Sequence, residues 1–120
     1  IAKLTQRYKL GIWIWAEGTR SRDGRLLPLK KGFAHLALAT RLPVVPVVVS
    51  GAHKVWEKNT FTIRSGRVAT IKVLDPIATL DWTEDNLDYH ITQVHAAFAA
   101  NLPADQKPLP DSPAVNARAA

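Results

Sequence analysis

The stretch "IWIWAEGTRSRDG", Ile12 to Gly24, decides how the chain is read. Its first part, "IWIWA" (Ile12 to Ala16), is a short apolar run rich in β-formers, and it passes at once into charged and small residues. A run of that kind, closed by polar loop residues, is the pattern of a strand buried on both faces, as in a parallel sheet. Trp13 and Trp15 are then expected to fill core. The loop that follows extends from Glu17 to about Pro28, with Asp23-Gly24 as its turn.

On the amino-terminal side, Ile1, Leu4 and Tyr8 recur at helical spacing and Gly11 stands where a helix stops, so the opening reads as the tail of an amphipathic helix. On the other side, Phe33, Leu36, Ala37 and Thr40 predict a short helix with small residues for close packing. "PVVPVVVSG" (Pro43 to Gly51) reads as a second buried strand, with Pro43 and Pro46 placing its first part at an edge or a strand entry. "FTIRSGRVATIKVLDPI" (Phe61 to Ile77) reads as a hairpin turning at Ser65-Gly66. Thr83 is the expected cap of a helix with Glu84 and Asp85 in its first turn and a core stripe of Leu87, Ile91, Val94 and Phe98, ended by Leu102-Pro103. Residues 103–120 are rich in Pro, Ala and Asp without periodicity and are expected to form a disordered tail. The order of elements predicts an α/β domain over residues 1–102, with a mixed, mostly parallel sheet flanked by helices.

Composition narrows the classes of function. Sixteen Lys and Arg against ten Asp and Glu give a formal charge of +6, which favours anionic partners: phosphate, nucleic acid or an acidic membrane surface. With no cysteine, disulfides, thiolate metal sites and cysteine nucleophiles are excluded. No apolar stretch approaches the roughly 18 residues of a spanning helix. The chain contains no methionine and begins at Ile1, which leads us to expect a segment of a longer protein.

The loop after Ala16 has the chemistry of a phosphate cradle. Arg20 and Arg22 carry guanidinium forks that match phosphate oxygens, each charge-assisted contact being worth about 1.5–3 kcal/mol. Thr19 and Ser21 add hydroxyl donors, and Gly18 lets backbone approach a ligand. Glu17 cannot welcome an anion, so its expected part is to accept hydrogen bonds that hold the loop in one shape. Lys30 and Lys31, at the next helix start, read either as a solvated face or as groups attracting phosphate or donor.

"EGTRSRDG" (Glu17 to Gly24) resembles the most recognisable motif of the 1-acyl-sn-glycerol-3-phosphate acyltransferase family. Behind it, "LLPLKKGFAHLALATRLPVVPVVVSG" (Leu26 to Gly51) is similar to that family's next segment, with the basic helix start at Lys30, Lys31 and Gly32 and the apolar-proline block from Leu42 to Val47. The resemblance is specific over Leu10 to Gly51 and continues more loosely to Ile77.

It implies that the chain is the carboxy-terminal part of an acyltransferase domain of phospholipid biosynthesis. Such an enzyme moves a fatty acyl group from an acyl thioester, on coenzyme A or acyl carrier protein, to lysophosphatidic acid. No metal or redox cofactor is implied, and no nucleic acid. Glu17, Gly18, Thr19 and Arg20 would hold the acceptor phosphate, with Ser21 in support and Lys30 and Lys31 as possible helpers. The implied location is a membrane surface on its cytoplasmic face.

Two departures bear on activity. Trp15-Ala16 stands where the family commonly has Phe-Pro, and the family's His-x-x-x-x-Asp motif is absent. Five positions after His35, His53, His90 and His95 stand Thr40, Lys58, His95 and Ala100. Without the general base and the carboxylate that orients it, the chain is expected to supply acceptor binding and no catalytic residue, and to be inactive alone.

Of the histidines, His35 reads as a helix-surface or packing residue and His53 as the most site-like by position. His90 and His95, five apart, make a poor metal pair. Trp56 and Trp82 read as core, or else as residues touching a bilayer interface. The residues taken alone also admit a non-enzymatic anion- or nucleic-acid-binding module. The chain has no aromatic-basic interleaved strand or recognition helix to favour that reading.

Overall fold

A computed structural model describes residues 1–56 and 59–117. In chain order the elements are α1 (Ala2–Tyr8), α2 (Gly32–Thr40), β1 (Val47–Ser50), α3 (Ala52–Val55), β2 (Thr70–Val73) and α4 (Leu87–Ala100), followed by a 3-10 turn at Ala104–Gln106.

The core lies where α2 meets α4. Phe33, Ala34 and Ala37 follow one another at helical spacing on α2 and are buried against Leu87, Ile91 and Val94 of α4, with Leu26, Leu29 and Trp82 closing the cluster. α2 stops at Arg41, whose left-handed backbone (φ 58°) lets its N–H donate to the Ala37 carbonyl. The Arg41 side chain then ties this corner to the approach of α4. Its Nη1 donates to the carbonyls of Trp82 at 2.7 Å and Thr79 at 3.2 Å.

Pro43 and Pro46 have no N–H to give a ladder. The run from Pro43 accordingly makes one isolated bridge, Val44 to Ile77, and becomes strand only at Val47. β1 pairs with β2 antiparallel, from Val47 opposite Val73 to Ser50 opposite Thr70. The strand entry expected from the prolines is therefore found.

Several other expectations are corrected. The described residues form a small mixed α/β fold with one two-stranded antiparallel sheet, in place of a mostly parallel one. Among the described residues the parallel pairing is the single bridge between Leu29 and Val115. Ile12 to Trp15 are not a buried strand: they take no place in a ladder, and Trp13 and Trp15 are 64% and 69% exposed, edge to face with each other. A strand needs a neighbour on its edge as well as an apolar sequence, and no described residue supplies one.

Ser65-Gly66 does turn, but the expected hairpin does not form. Its second arm, β2, takes β1 as partner, and the first arm is not strand. α1 forms as expected, yet Ile1, Leu4 and Tyr8 face outward and Thr5 is the buried position. The last helix begins at Leu87 instead of after Thr83. Thr83 and Asn86 close a turn just ahead of it, each backbone N–H donating to the other's side-chain oxygen.

The disordered tail is also corrected, over residues 103–117. The N–H of Leu29 donates to the Ala114 carbonyl and that of Asn116 to the Leu29 carbonyl, both at 2.8 Å. Gln106 is buried, its Oε1 accepting from the Gly51 N–H and its Nε2 donating to the Gly24 carbonyl. Residues 118–120 lie outside the described residues.

Candidate functional site

The loop from Glu17 is braced from within. The Gly18 N–H donates to the Trp15 carbonyl at 2.9 Å, closing a turn, and Gly18 takes φ +71°. A Cβ added there would lie 2.7 Å from Cδ and Cε of Lys30, so the lysine stem occupies the space that glycine leaves. The Lys30 N–H donates to the Ala16 carbonyl at 2.8 Å, fixing the far end of the loop against its start.

Glu17 has the bracing part expected of it. Its Oε2 accepts the Leu27 N–H at 2.8 Å, across the loop's width. Burial raises its pKa above the ordinary carboxylate range, and the hydrogen bond from Leu27 only partly offsets that. His95, buried on α4, also meets the Leu27 backbone, and desolvation holds its pKa below the usual imidazole value.

Asp23-Gly24 bends as expected. Asp23 Oδ1 accepts the Arg25 N–H at 3.1 Å, and Gly24 has φ +80°. The His53 ring sits over Gly24, so close that a Cβ there would meet its Cγ at 2.5 Å. This places His53 against the loop. Arg25 turns away, its Nη1 donating to the Lys107 carbonyl.

Arg20 is exposed at the loop's outer side, where it leans on a residue 36 positions away. Its Nη2 donates to the Trp56 carbonyl at 2.8 Å, and its Cζ lies 5.2 Å from the centre of the Trp56 ring. Gly18 and Thr19 are exposed beside it and Ser21 is half-buried. The structure therefore gathers Glu17 to Ser21 and Lys30 in one braced surface.

Lys31 does not join them. Its Nζ makes an ion pair at 2.9 Å with Asp88 in the first turn of α4. His35 is exposed on α2, and His90 stacks on Trp82 at 4.7 Å. Trp82 is 1% exposed and belongs to the core, not to a surface. Among the described residues no three His, Asp or Glu side chains group as a metal would require. The shallow groove between the end of β2 and α4, bordered by Pro46, Lys72, Asp75, Ala97 and Asn101, shares no residue with the loop.

Sequence reasoning missed Trp56 as the partner of Arg20 and Gln106 as the clamp on Gly24. No spacing in the chain joins either pair; each is brought together only by the way α3 and the closing segment pack.

A family model described as Acyltransferase matches residues 1–50, the part that contains the whole loop and α2. The chain belongs to the acyltransferase family. Within it, the chain is similar to the 1-acyl-sn-glycerol-3-phosphate acyltransferase of Limnanthes douglasii, 52% identical over 100 residues (83% of this chain, 35% of that protein). The enzyme of that name from Cocos nucifera is 45% identical over 109 residues, covering 91% of this chain and 35% of its own. The human protein named 1-acyl-sn-glycerol-3-phosphate acyltransferase beta is 37% identical over 92 residues, 77% of this chain and 33% of its own. The chain thus spans about a third of the length of these relatives. No solved structure gives a significant match.

Proposed function

We propose that this chain is the acceptor-binding part of an acyltransferase domain that makes phosphatidic acid from lysophosphatidic acid and an acyl thioester, on coenzyme A or acyl carrier protein. The braced surface of Glu17, Gly18, Thr19, Arg20 and Ser21 receives the acceptor phosphate. Arg20 supplies the charge and Glu17 the rigidity. The observation that carries the reading is the pairing of a pre-shaped loop with an outward guanidinium, in a chain whose relatives are named for a phosphate-bearing acceptor. A loop already held by Ala16, Leu27 and Lys30 loses little conformational freedom when an anion arrives.

Lys30 adds positive charge beside the loop, while Lys31 serves α4. The proton transfer to and from the acceptor hydroxyl belongs to groups other than this chain's histidines, none of which has an aspartate at the spacing noted above. The work site is a membrane surface on its cytoplasmic face. The formal +6 charge favours an anionic bilayer, and the exposed indoles of Trp13 and Trp15 suit its interface. No helix among the described residues is long and apolar enough to cross a membrane.

The test is Arg20→Ala in the intact protein, with both substrates titrated. Loss of a charge-assisted contact predicts a KM for lysophosphatidic acid raised about 10- to 100-fold. The KM for the acyl thioester should stay within about twofold, and Arg20→Lys should recover only part of the loss. Equal changes in both KM values would overturn the assignment.

A further inference from the structure

We infer that Trp56 is a positioning residue for the acceptor site, aiming the Arg20 guanidinium from the end of α3. This rests on the reading of Arg20 as the acceptor's charge partner. Trp56 is the residue at which α3 ends. Its own N–H is spent inside the helix on the Ala52 carbonyl, and its carbonyl, left without a helical partner by the end of the element, accepts from Arg20 Nη2 at 2.8 Å.

The indole adds a second hold. Its ring centre lies 5.2 Å from Arg20 Cζ, within the range over which the ring's electron-rich face attracts a cation. The ring is itself fixed, since Nε1 donates to the Thr60 carbonyl at 2.7 Å. The segment that returns past it is pinned by the Arg64 N–H on the Val55 carbonyl.

These two contacts act differently on a guanidinium. A carbonyl takes up an N–H, whereas a ring face attracts the cation without consuming a donor and so orients the fork without competing with phosphate oxygens. An exposed arginine otherwise samples many rotamers and must give up that freedom when it binds. Trp56 removes part of the cost in advance. The function follows from its place: the carbonyl is available because α3 ends there, and the ring is held by the Thr60 carbonyl in a segment that the Arg64 N–H ties back to Val55.

The experiment is a cycle of Arg20→Ala, Trp56→Ala and the double variant in the intact protein, with Trp56→Phe as the conservative change. Trp56→Ala should raise the KM for lysophosphatidic acid about five- to tenfold and leave the KM for the acyl thioester within about twofold. Trp56→Phe, which keeps an aromatic face, should restore most of it. In the double variant the acceptor KM should equal that of Arg20→Ala alone, because the ring then has nothing to aim. A merely destabilised protein lowers the apparent kcat through loss of active molecules and leaves the KM ratio where it was. If Arg20→Ala raises the acceptor KM while Trp56→Ala does not, or if the two effects multiply, the positioning role is wrong and the acceptor site stands. If Arg20→Ala itself changes neither KM, the acceptor reading fails and the role of Trp56 falls with it.

Discussion

Glu17 is a carboxylate taken partly out of water to hold a backbone. Its burial raises the pKa above the ordinary 4.5 by more than the Leu27 N–H lowers it. An acid whose folded pKa is raised binds its proton more tightly in the folded state than in the unfolded one. Its contribution is therefore greatest below about pH 4.5 and is lost as pH rises through the raised folded value. Glutamine keeps an oxygen for the Leu27 N–H and carries no charge. Glu17→Gln should thus raise the Tm near pH 7 by the equivalent of less than about 1 kcal/mol, since the half-exposed position screens the charge. It should also flatten the decline of stability above the ordinary carboxylate value. His95 tilts the other way: its lowered pKa means stability lost as pH falls from about 6.5 toward the folded value, and this acid-side loss should persist in the variant. Thermal melts across that pH range read both slopes, and a Tm reduced near neutrality would mean that the loop needs the charge itself. Residue by residue, the chain revealed its local chemistry well. The bracing part of Glu17 and the bend at Asp23-Gly24 follow from side-chain type and neighbours along the chain. The partners of Arg20 and Lys31 do not, because each is a carbonyl or a carboxylate on an element that only folding brings near.

The helices were legible because burial at a 3.6-residue period writes itself into the sequence: Phe33, Ala34 and Ala37 on α2 and Leu87, Ile91 and Val94 on α4 are where the core lies. The strands were less so. An apolar run records a tendency to leave water, not the identity of the strand beside it, and "IWIWA" has the tendency without a described neighbour. The same limit applies to β2, whose expected partner Phe61 to Arg64 lost to Val47 to Ser50. This difference between elements makes a measurable contrast. Ile91 is fully buried between α4 and α2, so Ile91→Ala should cost about 2–5 kcal/mol through lost transfer energy and the cavity left behind. Ile71, on β2, is 68% exposed, and Ile71→Thr should stay within about 0.5 kcal/mol. Urea denaturation of the intact protein checks the pair. Comparable losses at both positions would mean that β2 is covered in solution by something the described residues do not include.

For the molecule as a whole, the segment after α4 is what joins the loop to the sheet. Pro, Ala and Asp content argued for disorder, but order there depends on a few long-range hydrogen bonds that leave no periodic trace: Leu29 to Ala114 and Asn116, Arg25 to Lys107, and above all Gln106. The Gln106 amide satisfies the Gly51 N–H at the start of α3 and the Gly24 carbonyl under His53, so one buried side chain links the loop that carries Arg20 to the helix that Trp56 closes. Leucine in its place has similar bulk and neither polar atom. Gln106→Leu leaves two backbone groups without their partner, each costing about 1–3 kcal/mol when it stays out of water. The expected result is a Tm several degrees lower and, under limited proteolysis, faster cutting between Pro103 and Ala117. The acceptor KM should rise as well, because the loop and α3 lose their common tie even though Gln106 touches neither Arg20 nor Trp56 in the hydrogen bonds it makes. Gln106→Glu tests the same clamp with a charge: an ionised carboxylate would be buried against the Gly24 carbonyl oxygen, so its melting at neutral pH should fall at least as far as leucine's and recover toward acid pH, where a protonated carboxyl can again donate to Gly24. A leucine variant with unchanged melting and unchanged cutting would mean that the closing segment only rests on the surface, and that the loop keeps its shape through Glu17 and Lys30 alone.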